Sequence, residues 1–405
     1  MNISNTDREI LRNVAKKQVE LYNEPRNQQN LIDFLTKRPM IQIEMWPFAK
    51  EIITPLLACA GEEARALEHQ LYSNFANYEL FKDDYPVTNY FSVPMNAWMK
   101  LFDLDVKMHT ATDSAGMNVG FQYDHVIKDL KEDFHLFKKS VFNVDKAATK
   151  KKIEDVNEVI GDILPAKLTM NAIYNTPTQM LVNFMGMEAM LFSMYDYPEE
   201  FHEIMKRIAD DTIEYFRWLE QNNLLLPTKY AENLGQGTWC FTDNLPDEPK
   251  TTKDVWGYLD SQETLGISPD MFGEFIFPYY KRIADEYGFL SYGCCEPVSN
   301  FWDYIKTYEN MRRVSISAWC DEEMMGPELK GKNIVYHRKP SPNFLGVGTE
   351  LDEPGFRAHI AKTIKAAQGC TLEITQRDVY TVHNDLGKVQ RYVGIIREEI
   401  EKGWS

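Results

Sequence analysis

Short apolar runs rich in β-branched and aromatic residues alternate along the chain with longer stretches whose apolar residues recur at helical spacing. Short runs of this kind, bounded by turn-forming residues, are typical of strands. The pattern predicts eight strands, at 40–46, 87–93, 163–170, 255–260, 289–295, 312–319, 333–339 and 370–376.

Between these runs the pattern predicts helices, several of which have recognisable ends. Ser268 followed by Pro269 is a typical helix start, and Gly288 and Gly369 are suited to end a helix just before the next strand. The first 38 residues also show helical spacing, broken near 23–25. The other predicted helices are 176–195, 198–222, 268–288 and 353–369.

An α/β chain with this alternation favours a (β/α)8 TIM barrel over residues 39–405, preceded by an N-terminal helical extension over 1–38. An open doubly wound sheet stays an alternative, because strand closure does not show in a sequence. No GxGxxG or GxxxxGK[ST] motif follows a strand, which removes the usual nucleotide-binding argument for that alternative. The segment from about 95 to 160 is too long for one crossover, and we predict an insertion that covers the barrel mouth.

Charge and composition exclude some classes of partner. Forty-four basic against 61 acidic residues give a formal charge of −17 without a basic block, so nucleic acid is not an expected partner. No apolar run reaches the length of a membrane span, and the N-terminus is charged and amphipathic, which predicts a cytoplasmic protein without a membrane partner. The six cysteines form no CxxC pair, so we expect reduced thiols.

The order of segments between about 160 and 400 resembles the uroporphyrinogen decarboxylase-like superfamily. The resemblance is carried by "LDSQETLGISPDMFGEFIFPYYKRIADEYG" (259–288), by the cysteine turn at 292–296, and by "VSISAWCD" and "NIVYHRKPSPNFL" further on. That superfamily also contains zinc- and corrinoid-dependent methyltransferases. The resemblance implies a barrel enzyme that acts on a small-molecule substrate.

Two positions depart from the patterns of that superfamily. Uroporphyrinogen decarboxylases look like "RQAGR" after the first strand, whereas this chain reads "EMWPFAKEI" there, and Glu44 would repel a polyanionic porphyrinogen. The thiol methyltransferases carry His-x-Cys at the fifth-strand turn, where this chain has Tyr292-Gly293-Cys294. Porphyrinogen decarboxylation is therefore not expected, and a zinc site of that form lacks its histidine.

In a (β/α)8 barrel the chemistry lies at the carboxyl ends of the strands, and this rule selects the candidate residues. We predict acid, base or general catalytic roles for Asp260, Glu296, His337 and Asp378. Residues predicted to bind the substrate are Glu44, Trp46, Lys167, Gln262, Trp319, Arg338 and Lys339.

The cysteine turn also suggests a zinc ion. Zinc accepts sulfur and imidazole ligands in a tetrahedral array and polarises a substrate atom at an open position. The predicted ligands are Cys294, Cys295, Cys320 and His337, with Cys295 preferred as the functional thiol because it precedes Glu296. The alternative is that one cysteine of the pair packs into the core, since successive strand residues face opposite sides. Cys370 opens its strand at the opposite end of the barrel, and we expect it to be buried.

The leading functional hypothesis is a methyltransferase that works with a separate corrinoid protein, in O-demethylation or a similar methyl transfer. The chain has no Asp-x-His-x-x-Gly corrinoid anchor, so the partner would carry the cobalamin. One alternative is a cofactor-free decarboxylase or lyase, with Arg338 or Lys339 holding a small carboxylate and Asp260 or Asp378 donating a proton. A second is a non-catalytic binding protein. The sequence leaves open whether the chain forms a homo-oligomer.

Overall fold

A computed structural model describes residues 1, 3–35, 38–112 and 118–404 of the chain. Its strands are β1 (Met40–Ile43), β2 (Phe91–Pro94), β3 (Ala97–Lys100), β4 (Met108–Thr112), β5 (Asn118–Tyr123), β6 (Val141–Val144), β7 (Ala166–Thr169), β8 (Ile173–Asn175), β9 (Asn233–Gly235), β10 (Thr238–Trp239), β11 (Trp256–Leu259), β12 (Phe289–Tyr292), β13 (Met311–Ile316), β14 (Val335–Arg338) and β15 (Thr371–Gln376).

The main sheet is parallel and has seven strands in the order β1-β15-β14-β13-β12-β11-β8. Six of them, β1 and β11 to β15, fall within predicted strands. The predicted strands at 87–93 and 163–170 form as β2 and β7, but these pair with each other outside the main sheet, so their assignment to the barrel was wrong. Strand β8 follows β7 closely and takes a place in the sheet that the sequence pattern did not predict. The fold is thus mixed α/β with a parallel sheet, as a TIM-like fold requires.

The edges of the main sheet are covered by irregular segments. Beside β1, the carboxylate of Asp84 accepts from the backbone N–H of Ile41, and the Asp84 N–H donates to the Ile41 carbonyl, both at 2.8 Å. Beside β8, Ala172 donates to the carbonyl of Asn233 in the β9–β10 hairpin. Within the described residues, β1 and β8 make no ladder with each other, and the predicted closure of the barrel is not shown.

The helices are α1 (Asn5–Tyr22), α2 (Pro25–Asp33), α3 (Ala49–Ile53), α4 (Glu62–Ser73), α5 (Lys146–Ile160), α6 (Pro177–Met185), α7 (Met187–Asp196), α8 (Pro198–Gln221), α9 (Pro269–Met271), α10 (Phe277–Ala284), α11 (Trp302–Ile305), α12 (Glu322–Leu329), α13 (Asn343–Gly346), α14 (Glu353–Ala366) and α15 (Leu386–Gly403). The predicted helix start at Ser268 is confirmed, because its hydroxyl accepts from the N–H of Met271. The predicted helix 176–195 is broken at Gly186, which has φ +85°.

The main core lies between the sheet and its surrounding helices, and alternate strand residues supply it. On β14, for example, Tyr336 belongs to this core and Arg338 bonds to helix α14, while His337 and Lys339 face the other side of the sheet. The side facing away from the helices is polar. The residues that could carry chemistry therefore lie on the side of the sheet that faces away from the helices.

The N-terminal helices belong to a second apolar core. Helix α1 packs on α4 and α5, and Leu11, Leu67, Phe91 and Val156 are among the buried residues of this cluster. The segment predicted as an extension is thus tied to β2 and to part of the predicted insertion. The domain boundaries proposed from the sequence stay a prediction.

The segment predicted as an insertion forms the antiparallel pairs β3–β6 and β4–β5, followed by α5. Its residues pack on the helix layer: Ile127 donates to the carbonyl of Phe184 in α6, and Arg207 of α8 donates to the carbonyl of Phe137. That it covers a barrel mouth stays a prediction. Residues 113–117 within it lie outside the described part of the chain.

Across the described ranges, no helix combines the length and apolar character needed to cross a membrane.

Candidate functional site at the strand ends

The turn after β12 brings two cysteines to the carboxyl ends of the parallel strands. Gly293 has φ +98°, a conformation that residues with a Cβ rarely adopt. A Cβ there would lie 3.0 Å from Cβ of Ser315 and 3.0 Å from Cγ1 of Val298. The turn therefore requires glycine, and it directs Cys294 and Cys295 towards the neighbouring strand ends.

Cys294 lies among cationic groups. Nη1 of Arg377 lies 3.4 Å from its sulfur, and Nζ of Lys339 donates to its carbonyl oxygen at 2.8 Å. The sulfur of Cys295 lies 3.6 Å away. The hydrogen bond from Cys295, then the charges of Lys339 and Arg377, lower the pKa of Cys294 to about 7, although burial opposes them. A large fraction of Cys294 is therefore thiolate at neutral pH.

Cys295 is the protonated member of the pair. Its thiol donates to Oδ2 of Asp378 at 3.3 Å. Its hydrogen bond to Cys294 and its burial raise the pKa of the thiol above the ordinary value. The sequence favours Cys295 as the functional thiol, which stays a prediction; the structure places the guanidinium of Arg377 against the sulfur of Cys294.

Arg377 follows β15 and connects the end of that strand to the end of the neighbouring strand β1. Its Nε donates to Oε2 of Glu44 at 3.0 Å, and both side chains are nearly buried. Its Nη1 also donates to the side-chain oxygen of Gln236 in the β9–β10 hairpin. Glu44 was predicted to bind substrate, but its carboxylate is paired with Arg377. The pair fixes the hairpin over the strand ends and leaves little net charge there.

Asp260 follows β11 and is a buried carboxyl with one occupied oxygen. It is 5% exposed, and the hydroxyl of Tyr258 donates to its Oδ2 at 2.9 Å. Oδ1 has no hydrogen-bond partner among the described residues. Burial, followed by the negative charges of Glu296 and Cys294, raises the pKa of Asp260 well above its ordinary value. The protonated form of this carboxyl is therefore favoured relative to an exposed aspartate.

Glu296, predicted to be catalytic, holds two turns together. Its Oε1 accepts from the N–H of Ser261 at 3.0 Å and its Oε2 from the N–H of Cys294 at 2.7 Å. The side chain is fully buried. With both oxygens bonded to backbone donors, Glu296 positions the turns that carry Asp260 and Cys294.

His337 lies deeper in the sheet than predicted. It is buried on β14 among Arg313, Glu373 and Lys339, and its Nε2 has no partner among the described residues. Burial, then the charges of Lys339, Arg313 and Arg377, lowers its pKa well below the ordinary value, so the ring is neutral.

Two predicted substrate-binding cations lie elsewhere. Arg338 points to the helix layer, where it forms an ion pair with Glu322 at 2.9 Å and donates to the backbone of Ser317. Lys167 lies on β7, outside the main sheet, with Nζ 4.5 Å from the centre of the Tyr90 ring. The sequence pattern placed both residues at the barrel mouth for two different reasons. It assigned Arg338 to the wrong face of β14, and it assigned β7, which carries Lys167, to the main sheet.

Three further predicted residues lie near the strand ends, and their side chains form no hydrogen bond with the described residues. Trp319 is 66% exposed after β13, and Gln262 is half-buried at the start of a short 3₁₀ turn. Trp46 is 70% exposed and lines a cavity of about 510 Å³ beside Glu44.

The predicted zinc ligands do not assemble. Cys320 is buried in the main core, where burial raises the pKa of its thiol, and His337 lies inside the sheet. Across the described chain, no three His, Cys, Asp or Glu side chains are grouped as a metal centre. Because the donor set does not fit, we derive no step through zinc. Cys370 is buried against Gly326, the packing role expected of it.

Sequence reasoning missed several residues that the structure brings to this site. Arg377 was expected at the strand ends with its neighbours 376 and 378 but was given no role, although it shares the inward face of β15 with Glu373 and Thr375. Gln42 likewise is a polar residue within a buried strand. Gln236 and Tyr174 could not have been found. Their positions depend on the β9–β10 hairpin and on strand β8, and no local sequence pattern indicated either.

Comparison with known proteins gives distant likenesses alone. No family model matches the chain, and no curated protein matches it. Among solved structures it is similar to a methyltransferase from Methanosarcina mazei, with 12% identity, a TM-score of 0.49, and coverage of 95% of this chain and 97% of that one. It is also similar to a B12-independent methionine synthase from Shewanella sp. W3-18-1 in complex with selenomethionine, with 11% identity, a TM-score of 0.36, and coverage of 85% and 90%. We base no argument on likenesses this distant.

Proposed function

We propose that this chain is an enzyme that transfers a methyl group from an oxygen of a small substrate to an acceptor on a separate corrinoid protein. The observation that carries the proposal is Asp260, a buried carboxyl at a strand end with one oxygen that has no partner among the described residues and with a pKa that burial raises. An alkoxide or phenoxide is a poor leaving group, and a positioned acid removes that obstacle by protonating it.

The step balances with Asp260 as the general acid. The methyl carbon forms a bond with the acceptor while its bond to the substrate oxygen breaks, and the electron pair stays on that oxygen. The proton of Asp260 moves to the oxygen, and water restores it afterwards. Tyr258 fixes the orientation of the carboxyl through Oδ2, which leaves Oδ1 for the substrate.

The thiolate of Cys294 contributes by its charge. Burial and the charge of Glu296, followed by the charge of this thiolate, raise the pKa of Asp260 and so favour its protonated form. Arg377 donates to that sulfur, and Lys339 donates to the backbone carbonyl of the same residue. The protonated form of Asp260 is thus favoured beside the negative charges of Cys294 and Glu296. Acid catalysis needs such a difference in protonation between neighbouring groups.

In the part of the chain that the structure describes, the cations considered for the decarboxylase alternative are already bonded to other groups. Nζ of Lys339 donates to the side chain of Gln236 at 2.9 Å and to the carbonyl of Cys294, and Arg338 is paired with Glu322 in the helix layer. Arg377 is paired with Glu44. No observation therefore favours it as a second candidate. A purely binding role gives no reason for a buried acid held protonated beside a thiolate.

The test uses chemically reduced cobalamin as acceptor and methanol, anisole and 2-methoxybenzamide, each with a deuterated methyl group, as donors. We expect loss of the reduced-cobalamin absorbance and a deuterated methyl group on cobalamin by mass spectrometry. Asp260→Asn should lower the rate by about 100-fold or more. The matched control is Glu263→Gln, a nearby buried carboxyl engaged by Thr178, which should retain activity. Absence of transfer by the wild type, or an unchanged rate in Asp260→Asn, would overturn the proposal.

A further inference from the structure

A cavity of about 510 Å³ lies beside the strand ends, between the end of β1, helix α4 and the β9–β10 hairpin. Its volume is in the range of small-molecule sites. The hairpin closes it on one side, since a Cβ on Gly237 would lie 2.7 Å from Thr375 and 3.3 Å from Glu44. Four aromatic side chains line it: Trp46, Tyr85, Tyr174 and Trp239.

Gln42 is the unusual member of this lining. It lies in the middle of β1, is 2% exposed, and neither its Nε2 nor its Oε1 has a hydrogen-bond partner among the described residues. Thr375, its neighbour across the β1–β15 ladder, has an unpartnered hydroxyl as well. A buried amide left without partners is costly, so a side chain of this kind indicates that a ligand supplies them.

Several other polar groups of the lining are already satisfied. Asn77 donates to the carbonyl of Ile43 and to Asp83, and the hydroxyl of Ser73 donates within its own helix. The charges of Glu44 and Arg377 compensate each other. The indole N–H of Trp239 is buried without a partner among the described residues. The cavity thus offers the amide of Gln42, which can donate and accept at once, and the N–H donor of Trp239.

We propose that this cavity binds a neutral, planar ligand with a carboxamide or lactam edge, which pairs donor to acceptor with the side chain of Gln42. The inference rests on the proposed function, because it names the substrate class of that reaction. Planar rings suit the aromatic walls, and a paired amide edge occupies both atoms of Gln42 at once.

Two tyrosines in contact with each other lie between the cavity and Asp260. The ring of Tyr174, which is half exposed, stacks on that of Tyr258 with 4.2 Å between centroids and 11° between planes. The hydroxyl of Tyr258 bonds to Asp260. A ligand ring that contacts Tyr174 therefore touches the ring that stacks on Tyr258, the residue that bonds to the acid.

Binding is tested without turnover, by saturation-transfer NMR and calorimetry on the full chain with benzamide, N,N-dimethylbenzamide and benzoate. Benzamide offers the donor and the acceptor, the dimethyl analogue lacks the donor, and benzoate adds a charge. We expect benzamide to bind best, by about tenfold over either analogue. Equal binding of benzamide and its dimethyl analogue overturns the proposal, and this comparison needs no variant protein.

A matched pair of variants locates the contact. Gln42→Met keeps the length of the side chain but removes both polar atoms, so benzamide affinity should fall about tenfold, while that of the dimethyl analogue, which has only a carbonyl acceptor to lose, should fall less. Ser73→Ala removes a lining hydroxyl that is already satisfied, and it should change neither affinity. Full benzamide affinity in a folded Gln42→Met protein, as judged by circular dichroism, contradicts the assignment.

The two proposals fail separately. If benzamide binding depends on Gln42 but no donor gives methyl transfer, the amide subsite is supported and the proposed reaction is contradicted. Methyl transfer that depends on Asp260, without preference for benzamide, leaves the reaction and removes the substrate class.

Discussion

Nη1 of Arg377 lies 3.4 Å from the sulfur of Cys294, although the two residues are 83 positions apart in the chain. The contact exists because β12 and β15 end on the same side of a parallel sheet and Gly293 turns the chain inward. It places a guanidinium against a thiol that is already hydrogen-bonded by its neighbour. The chemistry of this thiol is therefore a property of the assembled sheet.

The first prediction concerns the reactivity of Cys294. Its pKa of about 7 predicts that alkylation by iodoacetamide rises with pH and is half-maximal near pH 7, because the thiolate is the nucleophile. Cys295→Ser retains a hydroxyl donor and should preserve this profile, whereas Cys294→Ser should leave a thiol that reacts slowly at neutral pH. The rates are measured by peptide mass spectrometry between pH 5 and 9. A midpoint above pH 8 in Cys295→Ser would contradict the assignment.

Arg377→Met provides the complementary experiment on the same thiol. Removal of the guanidinium should move the alkylation midpoint to higher pH, since one of the charges that stabilises the thiolate is lost. A Lys281→Met variant, far from the site and paired with Asp285, serves as control and should leave the midpoint in place.

A second prediction concerns the ion pair inside the sheet. Nη2 of Arg313 donates to Oε1 of Glu373 at 2.9 Å, with a second bond between the same groups, and both residues are buried. Arg313→Met or Glu373→Gln should each lower the free energy of unfolding by about 3–5 kcal/mol, because each leaves a charge buried without its partner. The double variant Arg313→Met/Glu373→Leu should recover most of the loss in urea unfolding. Additive losses would show that the pair is not coupled.

The turn glycine allows a third prediction, with a control elsewhere in the chain. Gly293→Ala should destabilise the protein by about 1–3 kcal/mol, because it imposes a strained φ and the new Cβ meets Ser315 and Val298 at 3.0 Å. Gly331 also has positive φ, +73°, but nothing lies within 4 Å of a Cβ there. Gly331→Ala should therefore cost less in thermal or urea unfolding. Equal losses would mean that the contacts around Gly293 can relax.

A fourth prediction follows from Asp83, which is buried beside β1 and accepts from the backbone N–H groups of Ile43 and Tyr85. Burial raises its pKa from 3.8 in the unfolded chain to about 6. Its contribution to stability is therefore fully present below about pH 4 and is lost as the pH rises through 6. The loss amounts to about 3 kcal/mol.

Asp83→Asn removes this titration. The substitution also has a hydrogen-bonding cost, but that cost does not depend on pH. Between pH 4 and 7, the free energy of unfolding of Asp83→Asn should thus improve relative to wild type by about 3 kcal/mol. Urea unfolding at several pH values measures the difference. A difference that does not change with pH would show that Asp83 titrates normally.

Much of the parallel sheet was predictable from local pattern. Strands β1 and β11 to β15 coincide with apolar runs, since a strand buried between helices on one side and a packed interior on the other needs apolar or β-branched residues. Periodicity also located β2 and β7 but could not show which strands they pair with. Pairing depends on edges brought together from distant parts of the chain, and for these two strands the partner was each other.

The candidate site was predictable by position and less so by role. Asp260, Glu296, Cys294 and Asp378 do follow strand ends and do meet. The roles differ because they depend on hydrogen-bond partners: Glu296 is occupied by two backbone donors, while Asp260 keeps a free oxygen. Arg338 shows the limit most clearly, since a shift of one position along β14 separates the helix side from the interior.

The sequence by itself determined the alternation of strands and helices, the places where strands end, and the residue types available there, because these follow from local spacing and composition. Only the tertiary structure decided that Arg377 donates to Cys294, that Asp260 is buried with one oxygen unpartnered among the described residues, and that the amide of Gln42 lies in a cavity without partners in that same part of the chain. Protonation and free hydrogen-bonding capacity are set by burial and by neighbours within a few ångströms, and these neighbours come from strands far apart in the chain.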